Sequence, residues 1–151
     1  MVVHKNPLEC SVSEPAHISV MLEEVLEALA PNENGIYVDG TFGAGGYSRG
    51  IMSENVSMLY AIDRDPSVIP TADIISEDFP KKFMLLKGCF SDMENLLLEQ
   101  DRKCVDGIVL DIGVSSMQLD QAERGFSFMR DGPLDMRMGD QGPTAADVVN
   151  E

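Results

Sequence analysis

Acids and glycines set at strand ends carry the chemistry of this chain. In residues 36–48, IYVDGTFGAGGYS, an apolar run ends in Asp39, and Gly40, Gly43, Gly45 and Gly46 follow within seven positions. A strand that ends in a glycine-rich turn and feeds a helix brings backbone N–H groups up to a nucleotide-like ligand. A Cβ would block either the left-handed conformations of the turn or the ligand itself. The spacing is not the strict G-x-G-x-x-G, so a purely structural turn would use the same glycines. A second apolar run, in SMLYAIDRDP at 57–66, ends in Asp63. An acid roughly 20 residues beyond the glycine turn is placed to accept hydrogen bonds from both hydroxyls of a ribose. The alternative is a solvated acid at a strand end.

These groups need a scaffold, and the pattern supplies one. Ser19 is an N-cap type before VMLEEVLEALA, which has apolar residues at 21, 22, 25, 26 and 29. A turn at 31–35 leads to a strand near 36–39 and a helix near 45–53. A second strand is expected near 58–63. A helix over much of 67–78 must start late or kink at Pro70. FMLLKG, 83–88, reads as a third strand, and SDMENLLLEQ, 91–100, as a helix capped by Ser91. VDGIVLDI, 105–112, reads as a fourth strand, too apolar to have a wet face. Continuous apolar strands alternating with helices predict an α/β fold with a parallel sheet covered on both faces. Right-handed crossovers give the order 3-2-1-4. A ligand then lies at the carboxyl ends of the strands, where Asp39, Asp63 and Asp111 sit and Phe90 follows strand 3. The stretch 112–143 is rich in Gly, Asp and Met with no clear periodicity, and a loop of that length in a compact domain is usually functional.

Composition narrows the classes. The chain has 151 residues, 44% of them hydrophobic, which suits one domain with its own core. No apolar run approaches the roughly 20 residues of a membrane span. The start, MVVHKNPLECSVSEPA, has the features of neither a signal nor a transit peptide. Cys10, Cys89 and Cys104 are three widely spaced thiols, which argues against a disulfide framework or C-x-x-C site and fits a reducing cytoplasm. His4 and His17 cannot form a metal site by themselves, and His17 is expected to cap or pack locally. The net charge of −15 runs against phosphate binding, which wants clustered Lys and Arg. Arg124, Arg130 and Arg137 fall in one loop-like stretch, where Asp120, Glu123, Asp131 and Asp135 are the expected partners. Ser115 and Ser116 have no G-x-S-x-G elbow and no nearby His, so they are not hydrolase serines.

Several segments together resemble the MraW/RsmH family of ribosomal RNA cytosine N4-methyltransferases. They are HISVMLEEVL, YVDGTFGAGGYS, AIDRDP, GCFSDM, VDGIVLDIGVSSMQLDQAERGFSFMRDGPLDMRM and PTAADVVN. The resemblance runs from about His17 to the end of the chain, with 1–16 as an N-terminal extension, and its long fifth segment is the most specific part. It implies a Rossmann-like sheet of the S-adenosylmethionine-dependent kind and methylation of a cytidine amine in small-subunit ribosomal RNA. Residue by residue, it implies that Gly45, Gly46 and Tyr47 touch the methionine part of the cofactor. Asp63 would hold the ribose, Phe90 would lie beside the adenine, and Asp111 and Gln118 would make further contacts. Asp111 is also the candidate for holding the substrate amine, with Asp131 and Asp135 as weaker candidates that D-G-P turn chemistry equally explains. Tyr47 stands where the family usually has histidine, and Ser19 where it usually has proline. Family members continue well past the matched region, so the resemblance implies an N-terminal part of the enzyme, with later strands and the RNA-recognition region outside it. Self-association through the open strand 4 is expected of such a part. Two other readings are a nicotinamide-dependent oxidoreductase, which shares the glycine turn and ribose acid, and a cofactor-binding fragment without catalysis.

Overall fold

The computed structural model describes residues 19–151. The expectations for 1–16 and for His4, Cys10 and His17 lie outside the described residues. From the first helix onward the chain alternates helix and strand: α1 (Leu22–Leu29), β1 (Ile36–Asp39), α2 (Gly46–Ser53), β2 (Met58–Asp63), α3 (Ile69–Asp78), β3 (Phe83–Lys87), α4 (Met93–Leu98) and β4 (Gly107–Val109). Two short helices follow, α5 (Ser116–Asp120) and α6 (Ala145–Asn150). The sheet runs β3-β2-β1-β4, and every pairing is parallel. This is the expected order.

Alternation along the strands divides the core in two. Tyr37, Leu59, Ala61, Phe83 and Val109 point to one face, where Ile51 and Met52 of α2 and Ala72 and Ile75 of α3 pack, with α1 against them. Val38, Tyr60, Ile62 and Leu86 point to the other, where Leu97 of α4 packs. Cover is therefore uneven, with three helices on one face and α4 alone on the other.

Three local expectations are corrected and one choice is resolved. Ser19 does not cap α1: the residue before the helix is Met21, in a left-handed conformation with φ 50°, and Ser19 is buried elsewhere. Ser91 does not cap α4, because 90–92 form a 3-10 turn and the helix begins at Met93. Of the two alternatives at Pro70 the late start holds: α3 begins at Ile69, with Pro70 in its first turn, where no N–H partner is lost. The fourth strand is only three residues long, and its run does have a wet face: Ile108, Leu110 and Ile112 are 47%, 42% and 74% exposed. Val38 faces Ile108 in the register, so this is the thinly covered face.

The segment after β4 is more ordered than its lack of periodicity suggests. Ser115 and Gln118 form a capping box at the start of α5, each side chain bonding the other's backbone N–H. Thr144 and Asp147 do the same for α6.

Candidate functional site

The carboxyl ends of β1 and β2 and the segment that follows β4 enclose a cleft of about 420 Å³. Its floor is the glycine turn. Asp39, the last residue of β1, is completely buried beneath that turn. One carboxylate oxygen accepts from Ser48 Oγ at 2.8 Å and the other from the Thr41 N–H at 3.2 Å. Burial pushes its pKa up to about 6, and the Asp63 charge adds to the rise, against the lowering effect of the two hydrogen bonds. Thr41 in turn accepts from the Asp111 N–H at 2.7 Å through its hydroxyl. A hydrogen-bond chain thus runs from α2 through β1 and the turn to the segment beyond β4.

The glycines divide in role. Gly45 has φ +77°, and a Cβ there would meet Ile75 Cδ1 at 2.9 Å, so this residue faces the core and does not line the cleft. Gly46 does line it, and a Cβ there would lie 1.7 Å from Ser19 Oγ. The left-handed Gly43 donates its N–H to Asp63 Oδ2 at 2.8 Å. Tyr47 is buried, and its hydroxyl donates to the Val20 carbonyl, so the ring is pinned toward α1. Burial raises the Tyr47 pKa, and the Asp111 and Asp39 charges add to it.

Asp63 also accepts from the Asp65 N–H at 2.9 Å. A carboxylate has about four acceptor positions, and the two backbone bonds fix its plane while leaving the others for a ligand. Phe90 follows β3 in the 3-10 turn and is 38% exposed on the cleft wall. Asp111 lies two residues beyond β4, with its side chain exposed at the cleft. Gln118 is buried; its Oε1 accepts from the Ser115 N–H, and its Nε2 donates to Asp65 Oδ2 at 3.0 Å. The structure therefore gathers Gly46, Tyr47, Asp63, Phe90, Asp111 and Gln118 around one cleft and leaves Gly45 behind it.

Asp131 and Asp135 are not on the cleft. Asp135 is paired with Arg137 at 2.6 Å, and the hydrogen bonds from Arg137 hold its carboxyl at about 2, which makes it a poor proton acceptor. Of the three loop arginines, Arg137 has the expected local partner. Arg130 donates to the Asp120 carbonyl rather than to a carboxylate. Arg124 reaches back to Asp65 at 2.8 Å.

Sequence reasoning missed Thr41, Asp65 and Arg124. For Asp65 a signal was present: Asp before Pro is a capping pattern, and Asp65 does accept from the Ser67 N–H at the start of the 3-10 turn before α3. Burial acts to raise the Asp65 pKa, but hydrogen bonds from Arg124, Ser67 and Gln118 outweigh it and hold the carboxyl below its ordinary value. Among the described residues no three His, Cys, Asp or Glu side chains are grouped to hold a metal ion.

A parallel sheet in this order, with a glycine turn after β1 and an acid ending β2, is the frame of a Rossmann-like methyltransferase. Two solved structures share that fold at 17% identity. One is an rRNA methylase from Streptococcus thermophilus, with a TM-score of 0.53 over 65% of this chain and 58% of that one. The other is the C-terminal domain of precorrin-6Y C5,15-methyltransferase from Rhodobacter capsulatus, with a TM-score of 0.51 over 70% of this chain and 56% of that one. The profile of the MraW methylase family matches residues 14–151, and the chain belongs to that family. It is 60% identical over 134 residues to ribosomal RNA small subunit methyltransferase H of Rhodospirillum rubrum, covering 89% of this chain and 41% of that protein. It is 54% identical over 140 residues to the protein of that name from Paramagnetospirillum magneticum, covering 93% of this chain and 44% of that one. The chain thus spans about two fifths of the length of these curated relatives. Family and fold both point to S-adenosylmethionine binding.

Proposed function

We propose that this chain forms the cofactor-binding part of an enzyme that methylates the exocyclic amine of a cytidine in small-subunit ribosomal RNA. The observation that carries this reading is the convergence of Gly46, Tyr47, Asp63, Phe90, Asp111 and Gln118 on one cleft at the strand ends. The residues suit S-adenosylmethionine. Asp63 keeps acceptor positions for ribose hydroxyls, and Phe90 offers a half-exposed ring to the adenine. When bound, the cofactor supplies an electrophilic methyl group on a sulfonium sulfur.

What remains for the chain is placement. The cytosine amine is a weak nucleophile because its lone pair is delocalised into the ring, so it must be held in line with the methyl group. The base must be unstacked or already single-stranded to enter. Asp111 is the group proposed to receive it: its backbone is fixed by Thr41, while its exposed carboxylate can accept a hydrogen bond from the amine. No protein nucleophile is required. Ser115, one of the two serines beside it, is spent on capping α5. No helix of the described residues is long and apolar enough to cross a membrane, and we assign the reaction to the cytoplasm, with ribosomal RNA as partner.

The net charge of −15 supports placing the RNA contact in the further length that the relatives possess. The chain alone is therefore expected to bind S-adenosylmethionine and S-adenosylhomocysteine by calorimetry, and to transfer no methyl group to ribosomal RNA. NADH bound in preference to either would favour an oxidoreductase instead. Tritiated methyl incorporation by the chain alone, lost in Asp111→Ala, would overturn the division of labour proposed here.

A further inference from the structure

Three donors meet at the Asp65 carboxylate. It is 4% exposed and accepts from the Ser67 N–H at 3.0 Å, Gln118 Nε2 at 3.0 Å and the Arg124 guanidinium at 2.8 Å. The same Arg124 Nη2 donates to the carbonyls of Arg137 at 2.9 Å and Met138 at 3.2 Å. The Arg124 carbonyl accepts from the Met136 N–H, and its guanidinium lies 5.9 Å above the Phe126 ring. Asp65 also gives its N–H to Asp63. One arginine thus ties the loop after β2, the α5 turn and the 136–138 stretch together behind the cleft wall that Gln118 and Met138 form.

We infer that Asp65 and Arg124 are a positioning pair that sets the cleft wall formed by Gln118 and Met138 and fixes the Gln118 amide within it. Gln118 cannot set its own orientation. Its Oε1 is committed to the Ser115 N–H, and among the described residues the other fixed point on its amide is Asp65. An ionised Asp65 at this depth needs a charged partner, and among the described residues Arg124 is its only salt-bridge partner. Without Arg124 the carboxylate must rehydrate or take a proton, and either change shifts or weakens the oxygen that holds the amide. Lys replaces it only in part: all three contacts run through the one Nη2, and a Lys ammonium, although it carries three N–H donors, ends one bond short of that position.

The inference rests on the cofactor reading of the cleft, and its test separates the two. S-adenosylhomocysteine is titrated by calorimetry into this chain and into Arg124→Met, Arg124→Lys, Gln118→Ala and the Gln118→Ala/Arg124→Met double variant. Arg124→Met is expected to raise Kd by about tenfold, and Arg124→Lys to recover to within about threefold of the parent. The double variant should bind no more weakly than Gln118→Ala, because Arg124 acts through Gln118. Lys87→Met, which cuts an exposed ion pair to Asp140 in the same stretch, should leave Kd unchanged. If Arg124→Met does not fold, the isosteric Asp65→Asn carries the same comparison. Parent-like affinity in Arg124→Met, or losses that add in the double variant, overturns the positioning role alone. A parent chain that does not bind S-adenosylhomocysteine overturns the cofactor reading and this inference with it.

Discussion

Asp63 and Asp39 end adjacent strands, yet their surroundings set them to different tasks. Asp63 keeps its carboxylate at the cleft, held by two backbone N–H groups. Asp63→Ala should weaken S-adenosylhomocysteine binding by about 1–3 kcal/mol, the scale of hydrogen bonds to a charged group; an unchanged dissociation constant by calorimetry would remove the ribose role. Asp39 is sealed in, and its pKa of about 6 lies above the ordinary carboxylate value. Between that ordinary value and pH 6 the folded chain keeps a proton that the unfolded chain has lost. The stability from this group is therefore full below about pH 4 and is lost as pH rises through about 6. Asp65, Asp135 and Asp147 have lowered values and act in the opposite sense, but only below that window. Asp39→Asn should abolish the loss between pH 5 and 7 and be more stable at pH 7 by on the order of 1–3 kcal/mol. Urea unfolding at both pH values checks it; a parent whose stability is flat across the range would contradict the assignment. The acids at the ends of β1 and β2 were legible in the sequence because each terminates an apolar run. Their opposite environments were not, since burial depends on Ser48 and on the turn folding over Asp39.

At the scale of elements, the first three strands and the helices between them were readable from apolar runs and their punctuation. Two errors came from residues whose type promised one role and whose packing gave another. Ser19 is a capping type, but its hydroxyl lies where a Cβ of Gly46 would be, so it spaces α2 from the start of α1. Gly46→Ala should accordingly push the chain before α1 outward and cost about 1–3 kcal/mol. Thermal unfolding measures this, and adding Ser19→Ala, which removes the Oγ, should restore part of the loss; no restoration would mean that the clash is absorbed elsewhere. The apolar run at 107–112 suggested a buried strand, yet hydrophobic content reports only what a strand could bury. Its length as a strand is set by pairing with β1, which ends at Asp39 opposite Val109. α5 was missed, although S-x-x-Q at 115–118 spelled its capping box, because five helical residues are too few to show a period.

For the molecule as a whole, the open side of β4 is the dominant feature. Among the described strands β4 pairs only with β1, and Ile108, Leu110 and Ile112 stand exposed along it. An apolar unpaired edge is a template for association, while a net charge of −15 opposes it. The edge should win at high concentration. Light scattering across a concentration series is expected to show a rising mean mass that Ile108→Lys with Ile112→Lys reduces. A constant monomer mass would mean that the stretch after Gly113 folds back over the edge in solution.

The parallel order also sets a sequence in time. β1 cannot gain its second neighbour until residues some 70 positions later arrive, as in the bond from the Ile36 N–H to Asp106. Such distant closures are slow. The Gly40 N–H donates to the Val109 carbonyl, and the Asp111 N–H to Thr41, so the glycine turn is not braced until β4 docks. The cleft is then among the last parts to form. A ligand seated there would bind after the folding barrier has been crossed, and would lengthen the lifetime of the folded chain while hardly hastening its arrival.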